Sequence, residues 1–273
     1  MTTIAFIGSG NMAGAIMGGL IESGYSANNI IACDPSAEKL SELNSKLGIQ
    51  TSQDNIKAIE QADVVVLAVK PQVMEKVLEP LKPALEKQQP LVVSVAAGIN
   101  LNSLQLWCGE KLAIVRCMPN TPSLVGKGAS GLLANSLVSH NQKQQAEDIL
   151  NAVGIAMWVS SEQELDWVTA VSGSGPAYYF LFIEAMIKAG TELGLAPDVA
   201  KQLTLQTALG AATMAKQSEY EPGQLRKNVT SPNGTTEQAI LSFQGNQLED
   251  IVKQAMNAVV KRSEEMVKEL SAP

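Results

Sequence analysis

Up to Val159, apolar residues fall in short, largely β-branched runs separated by stretches of helical spacing. The runs Ile4–Ile7, Ile30–Cys33, Val64–Val69, Leu91–Val95, Ala113–Met118, Gly131–Ala134 and Ala156–Val159 predict strands. Val64-Val65-Val66-Leu67-Ala68-Val69 is apolar without alternation, which marks a strand covered on both faces. Between the runs, Met12–Glu22, Ala37–Leu47, Gln72–Leu85 and Gln142–Val153 read as helices. Strand–helix alternation predicts parallel β-α-β units in a doubly wound α/β sheet.

Past Val159 the period changes. Ser161-Glu162-Gln163-Glu164 fits a capping box. Long helical patterns follow: Ala177–Leu193, a second opened by Pro197, and a last one in which Leu248, Ile251, Val252, Ala255, Met256, Val259 and Val260 form one apolar stripe. The chain is thus expected to divide into an α/β domain over residues 1–160 and an all-α domain over 161–273. The stripe needs a cover. Pairing with a second copy across a two-fold axis is one way to supply it, and packing within the chain is the other.

Composition narrows the chemistry. Apolar residues make up 45%, enough for a sizeable core, while aromatics at 4% leave little for base stacking. The net charge is −7 and there is no basic run, so neither nucleic acid nor an anionic membrane is an expected partner. The apolar stretches fall short of the ~20 residues a spanning helix needs, and Glu184 and Lys188 interrupt the most aromatic one. With no basic leader before the first strand, the chain reads as soluble and cytoplasmic. Cys33, Cys108 and Cys117 form no C-x-x-C, which suits a reducing compartment. The lone His140 lies in a polar surface stretch, so no metal site is expected.

The first predicted strand ends in Gly8-Ser9-Gly10-Asn11-Met12-Ala13, a G-x-G-x-x-A opening a helix. Gly8 permits the tight turn, Gly10 lets backbone approach a pyrophosphate, and Ala13 lets helix pack on strand. Free N–H groups at the helix start face the anion. The first domain therefore reads as Rossmann-type and dinucleotide-binding. The second strand ends at Asp34, where an acid ordinarily accepts from the ribose 2′-OH and favours NAD. Ser36 and Lys39 nearby suit a 2′-phosphate, and Pro35 makes a turn role for Asp34 an alternative. The reading prefers NADP (NADPH), with NAD (NADH) as the second choice. Ala68-Val69-Lys70-Pro71 and Met118-Pro119-Asn120-Thr121-Pro122 also follow strand ends, where ligand crevices form. In the second of these, flanking prolines stiffen Asn120 and Thr121, for presentation of an amide to a ligand or simply as a structural turn.

Two motifs stand out in the helical half. Ser172-Gly173-Ser174-Gly175-Pro176-Ala177 interrupts one helical pattern and begins another. Ser231-Pro232-Asn233-Gly234-Thr235-Thr236 precedes Glu237–Phe243, with Thr235 and Gln238 spaced as a capping box. A helix start bearing hydroxyls can hold a small carboxylate, or be no more than a capped helix. An absence also informs. Reducing a ketone requires a proton donor such as Lys or His, yet Gly173–Phe182 holds no lysine. A protonated imine is already electrophilic, so C=N is favoured over C=O.

At this point the chain resembles the pyrroline-5-carboxylate reductase family. The resemblance runs through Phe6–Met12, Ala68–Pro71, Ser94–Gly98, Met118–Pro122, Val171–Ala177 and Val229–Thr236. It implies hydride transfer from NAD(P)H to 1-pyrroline-5-carboxylate, giving L-proline, the last step of proline biosynthesis. It implies a helical domain that intertwines with a partner in a homodimer, often assembled into decamers. It places Asn55, Lys70, Ala97 and Asn120 around the cofactor beside Gly8, Ser9, Gly10, Asn11, Met12, Asp34, Ser36, Ala68, Val69 and Pro71. It places Ser231, Gly234, Thr235 and Thr236 at the substrate and implies catalytic parts for Thr236, Ser174 and Glu219, with Thr236 on the imine nitrogen. Glu219 could equally be a solvated helix-end carboxylate beside Glu221. Asn233 stands where the family has glycine, though asparagine tolerates the left-handed region. Two other readings stay in play: a β-hydroxyacid-type NAD(P) dehydrogenase, which the missing lysine disfavours, and a non-catalytic dinucleotide sensor, which leaves the Ser172–Pro176 and Ser231–Thr236 loops without a task.

Overall fold

The computed structural model describes Thr2–Ser271. Among the described residues eight strands form one sheet: β1 Ile4–Ile7, β2 Ile30–Cys33, β3 Gln50–Ser52, β4 Val64–Leu67, β5 Leu91–Ser94, β6 Ile114–Met118, β7 Gly128–Ala134 and β8 Gly154–Trp158. Their order is β3-β2-β1-β4-β5-β6-β7-β8. The strands from β3 to β6 are all parallel, and the chain reverses direction across the sheet between β1 and β4. That reversal is the topological switch point, where open α/β sheets bind ligands.

The sheet corrects the all-parallel expectation at one place, because β7 runs antiparallel to β6. The connection, residues 119–127, holds only the short 3₁₀ turn Thr121–Val125. A parallel return needs a crossover of about a dozen residues or more, usually helical, and this segment has none. β8 then pairs parallel to β7 through a true helical crossover. β3 went unforeseen because Gln50-Thr51-Ser52 is polar and sits at the sheet edge.

Helices cover both faces. On one, Ile16, Met17 and Leu20 of α1 (Asn11–Glu22) and Ile149 and Leu150 of α7 (His140–Asn151) pack on Phe6, Val64, Val66 and Val93. On the other, Ala5, Ile7, Val65 and Val92 meet Met74, Leu78, Leu85, Leu104 and Trp107. α2 (Ala37–Leu47) matches its predicted span. The expected single helix over Gln72–Leu85 is broken into α4 (Met74–Leu78) and α5 (Lys82–Gln88), with 3₁₀ turns at Pro71–Val73 and Glu79–Leu81. Pro80 and Pro83 lack the N–H that a continuous helix would use. α3 (Asn55–Ile59) and α6 (Leu101–Cys108) are additional short helices capped by Asp54 and Asn100. His140 is the first residue of α7 and not a loop residue, behind a full capping box of Ser139 and Gln142.

After β8, α8 (Glu162–Val168) is capped by Ser161, which accepts from Glu164 N–H, while the Glu164 carboxylate accepts from Ser160 N–H at 2.7 Å and not from the cap residue itself. A wide π turn, Thr169–Gly173, follows. Then come α9 (Gly175–Glu192), α10 (Pro197–Gln217), α11 (Pro222–Asn228), α12 (Thr235–Gly245) and α13 (Leu248–Leu270). Contacts group the chain through Ser174 with Val259 onward as one compact unit, and Gly175–Ala258 as another, whereas the sequence reading set its division at 160/161. Within the first unit the end of α13 is firmly seated. The Ser263 hydroxyl donates to Asp166 at 2.6 Å, and the Ser271 hydroxyl accepts from Asn100 N–H and donates to Gly98 C=O. Among the described residues no helix is long and apolar enough to cross a membrane.

Candidate active site

The glycine loop is shaped by its neighbours. Gly8 sits at φ +95°, and a Cβ there would lie 2.9 Å from the backbone of Ala68, at the end of the adjacent β4. A side chain is excluded twice over, by conformation and by space. At Gly10 the opposite holds: nothing lies within 4 Å of where a Cβ would be. Gly10 is the cap of α1 and no side chain occupies it. The first helical bond runs from Gly14 N–H to Gly10 C=O, so the earlier N–H groups have no helical carbonyl to reach. This is an open, uncapped helix start beside a cleft of about 700 Å³ lined by Ser9, Gly10, Asn11, Lys39 and Leu124. Its shape and its donors fit a pyrophosphate. Met12 turns the other way and packs against the core.

Asp34 serves the loop. Its Oδ2 accepts from the Ser9 hydroxyl at 2.8 Å and from Ser9 N–H at 3.3 Å, and its Oδ1 accepts from Ser36 N–H at 3.0 Å. Lys39 Nζ lies 3.9 Å from Oδ2. Burial pushes the carboxyl pKa up, but the bonds from Ser36 and Ser9 and the charge of Lys39 outweigh it, leaving the group below its ordinary value. Ser36 caps α2 by accepting from Lys39 N–H.

The other residues expected at the cofactor follow strand ends as well. Ala68-Val69-Lys70-Pro71 leaves β4, with Lys70 exposed, and Asn55 opens α3 just beyond β3. Ala97 follows β5 and lines a second cavity of about 180 Å³ with Arg116, Met118, Thr169 and Ser174. Asn120 is placed differently from an outward-facing amide. It is 7% exposed, its Nδ2 donates to Ser172 C=O at 2.9 Å, and its Oδ1 accepts from Ala129 N–H at 2.9 Å. Its amide is a strut between β7 and the π turn. At the Ser172–Ala177 motif a Cβ on Gly173 would meet Met118 Cε at 2.8 Å, so the turn lies tight against β6.

Arg116, a lone charge in the apolar run Ile114-Val115-Arg116-Cys117-Met118, was the readable signal for the second cavity that the sequence reading passed over. The three free cysteines are buried, and burial pushes the Cys33 and Cys108 thiols up to about 12 and Cys117 higher still, so none supplies a thiolate at neutral pH.

In the helical unit, Gly234 caps α12 and Thr235 and Thr236 are its first two residues, both exposed. The expected Thr235–Gln238 capping box is not formed. Instead Glu237 Oε2 accepts from Asn233 N–H at 2.7 Å, one residue before the cap. Asn233 takes the left-handed region at φ +58°, as the sequence reading allowed. Gly234 carries no side-chain cap, so this is a second helix start with unclaimed donors, flanked by the exposed Ser231. Glu219 is exposed between α10 and α11.

Comparison with known proteins adds to this geometry. Residues 162–266 match the family model described as pyrroline-5-carboxylate reductase dimerisation, and residues 3–98 match one described as NADP oxidoreductase, coenzyme F420-dependent. The chain is 54% identical to a pyrroline-5-carboxylate reductase of Pseudomonas aeruginosa, covering 98% of this chain and 97% of that protein. It is similar to the solved pyrroline-5-carboxylate reductase of Coxiella burnetii, with a TM-score of 0.94 and 47% identity over 97% of this chain and 98% of that one. It is also similar to the Plasmodium falciparum pyrroline carboxylate reductase solved with NADP bound, with a TM-score of 0.85 and 33% identity over 97% and 98% of the two chains.

Proposed function

The chain belongs to the pyrroline-5-carboxylate reductase family, and from that premise we propose that it reduces the C=N bond of 1-pyrroline-5-carboxylate to give L-proline. The observation that carries the reading is a pair of uncapped helix starts, Gly10 on α1 and Gly234 on α12, with no lysine or histidine in the loop and helix start Gly173–Phe182. One start suits a pyrophosphate and the other a small carboxylate.

A bound dinucleotide supplies the hydride. The chain's own residues bind and orient. Gly8, Ser9, Gly10 and Asn11 hold the pyrophosphate, and Ala68–Pro71, Asn55 and Ala97 flank the rest of the cofactor. Ser231, Gly234 and Thr235 receive the substrate carboxylate on backbone N–H groups and hydroxyls. The Thr236 hydroxyl hydrogen-bonds the imine nitrogen, and Ser174 and Glu219 take the other catalytic parts that the family resemblance implies. No strong general acid is required, because the protonated imine is itself the electrophile. Catalysis then rests on proximity and orientation.

NADPH is the preferred cofactor and NADH the second. Asp34 spends its acceptors on Ser9 and Ser36, and the Lys39 ammonium beside it, 59% exposed, offsets its charge and is open to a 2′-phosphate together with the Ser36 hydroxyl. The enzyme works in the cytoplasm as a homodimer built through the helical unit, and dimers assemble further, up to a decamer. Loss of 340 nm absorbance with pyrroline-5-carboxylate, in parallel with NADPH and NADH, is the test. Faster oxidation of NADPH is expected. Dinucleotide binding without oxidation of either would remove the reductase reading.

A further inference from the structure

The second cavity is held together by an ion pair that the reaction described above does not use. Arg116 lies in β6 with its side chain 4% exposed, and its Nη1 donates to Glu162 Oε2 at the start of α8. The other oxygen of Glu162 accepts from Leu101 N–H, at the start of α6, at 2.7 Å. One carboxylate therefore joins three elements. Leu101 follows closely on Ala97 and Gly98, and α8 runs on into the π turn that ends at Ser174. Ala97 and Ser174 are on opposite arms of this brace and line the same cavity, as Arg116 does.

Two more ties run along the same strand. Met118 Cε packs on Gly173, and Asn120 Nδ2 binds Ser172 C=O. Ser174 N–H closes the wide turn on Thr169 C=O at 2.8 Å. Every tie fixes where Ser174 stands relative to β6. Stability alone does not account for a charged brace here. Burying the Arg116 guanidinium costs desolvation even with the Glu162 carboxylate, 39% exposed, beside it, and an apolar side chain of similar volume serves a core as well or better. What an ionic pair with fixed hydrogen-bond directions adds is a single geometry.

We propose that Arg116 and Glu162 are positioning residues for hydride transfer, setting the distance between the Ala97 and Ser174 walls of the cavity. The proposal rests on the reductase reading. The pair touches neither reacting atom and acts through the two loops it spans.

The test compares wild type with R116M/E162M, which removes both charges together and leaves no buried ion unpaired, and with R116K, which keeps the pair. Three quantities are measured well below the unfolding midpoint: kcat and KM for pyrroline-5-carboxylate, the dinucleotide Kd by fluorescence quenching, and the isotope effect with 4-deuterated cofactor. Misplacement by about 1 Å costs up to ~10²-fold in rate. The double variant is expected to fold, keep its dinucleotide Kd within about threefold, lose ~10–100-fold in kcat, and show a larger isotope effect as hydride transfer becomes limiting. R116K is expected to recover part of that loss. An active wild type with a double variant whose kcat is unchanged, or whose only defect is a raised dinucleotide Kd, overturns the positioning role. A wild type that binds dinucleotide yet turns over no pyrroline-5-carboxylate overturns this proposal together with the reductase reading, and the two failures are told apart by the wild-type assay.

Discussion

The two compact units bury their apolar residues in opposite ways. In the unit built on the sheet, Phe6, Ile16, Met17, Val65, Val66 and Leu78 are wholly buried, and both sheet faces are covered from within the chain except at the edge strand β8, where Ile155 and Met157 are 49% and 63% exposed. In Gly175–Ala258, Tyr179, Phe180, Leu181, Leu203 and Leu209 are each more than half exposed, and the buried positions on its helices are Gly175, Ala200 and Thr204. A folded chain rarely leaves so many large apolar side chains open on neighbouring helices unless something covers them. The sheet unit is finished as one chain over most of its core, and open only at the β8 edge. The helical unit leaves its apolar side chains for another surface to cover, in keeping with the match of residues 162–266 to a dimerisation model.

The largest expected effect breaks this contrast on the helical side. Leu209, 63% exposed on α10, has little to lose within its own chain. L209E should dissociate the assembly in sedimentation velocity and remove most of the turnover, because a unit without its partner has no complete core. If the sheet unit is self-sufficient, the dissociated protein still binds dinucleotide within about threefold of wild type, since its anion site needs no partner residue. A variant that stays assembled would show that these residues are covered in some other way.

Next in size are two glycines of the sheet unit that should fail for different reasons. G8A places a methyl 2.9 Å from the Ala68 backbone at a φ of +95°, which costs about 1–3 kcal/mol of stability as well as dinucleotide affinity. G10A meets open space at a φ of −73°, so stability should fall by less than about 1 kcal/mol while dinucleotide affinity drops ~10-fold or more. Thermal unfolding with and without dinucleotide separates the two. In the helical unit, T236V should keep the dinucleotide Kd and lose roughly 10²-fold in kcat/KM, the scale of a positioned proton partner. A T236V variant with unchanged turnover would leave the imine nitrogen without its assigned partner.

How far the sequence could be read follows the same division. β1 and β2 were legible to the residue because a parallel strand covered on both faces is an unbroken apolar run. β3 was not, since an edge strand of Gln50, Thr51 and Ser52 has no apolar face to announce it. The helix drawn over Gln72–Leu85 had the right period, but Pro80 and Pro83 overrule periodicity. The reversal at β7 depends on connection length, which strand–helix alternation ignores. The glycine loop was readable because its chemistry is local. The jobs of Asp34, Asn120 and Arg116 were not, because each depends on a partner far along the chain: Ser9, Ser172 and Glu162. In the helical unit the long helices were legible and the short α11 was not, and the Thr235–Gln238 box was misplaced by one position because Gly234, not Thr235, is the cap.

The smallest effect probes how the finished unit holds its own loop. Asp34 accepts three hydrogen bonds from Ser9 and Ser36 as a carboxylate, and its pKa lies below the ordinary value because those bonds and Lys39 outweigh the opposing effect of burial. A carboxyl whose folded pKa is depressed stabilises the fold fully above its unfolded pKa of about 4, and that contribution fades as the pH falls toward the folded value. D34N keeps an acceptor oxygen but loses the charge, so it should cost about 1–2 kcal/mol at pH 7. The difference between wild type and D34N in urea unfolding should be flat from pH 7 to pH 5 and narrow below about pH 4. A difference that stays constant down to pH 3.5 would mean that the carboxylate charge does not hold the loop, and that the Ser9 turn is kept by Gly8 and the β4 backbone alone.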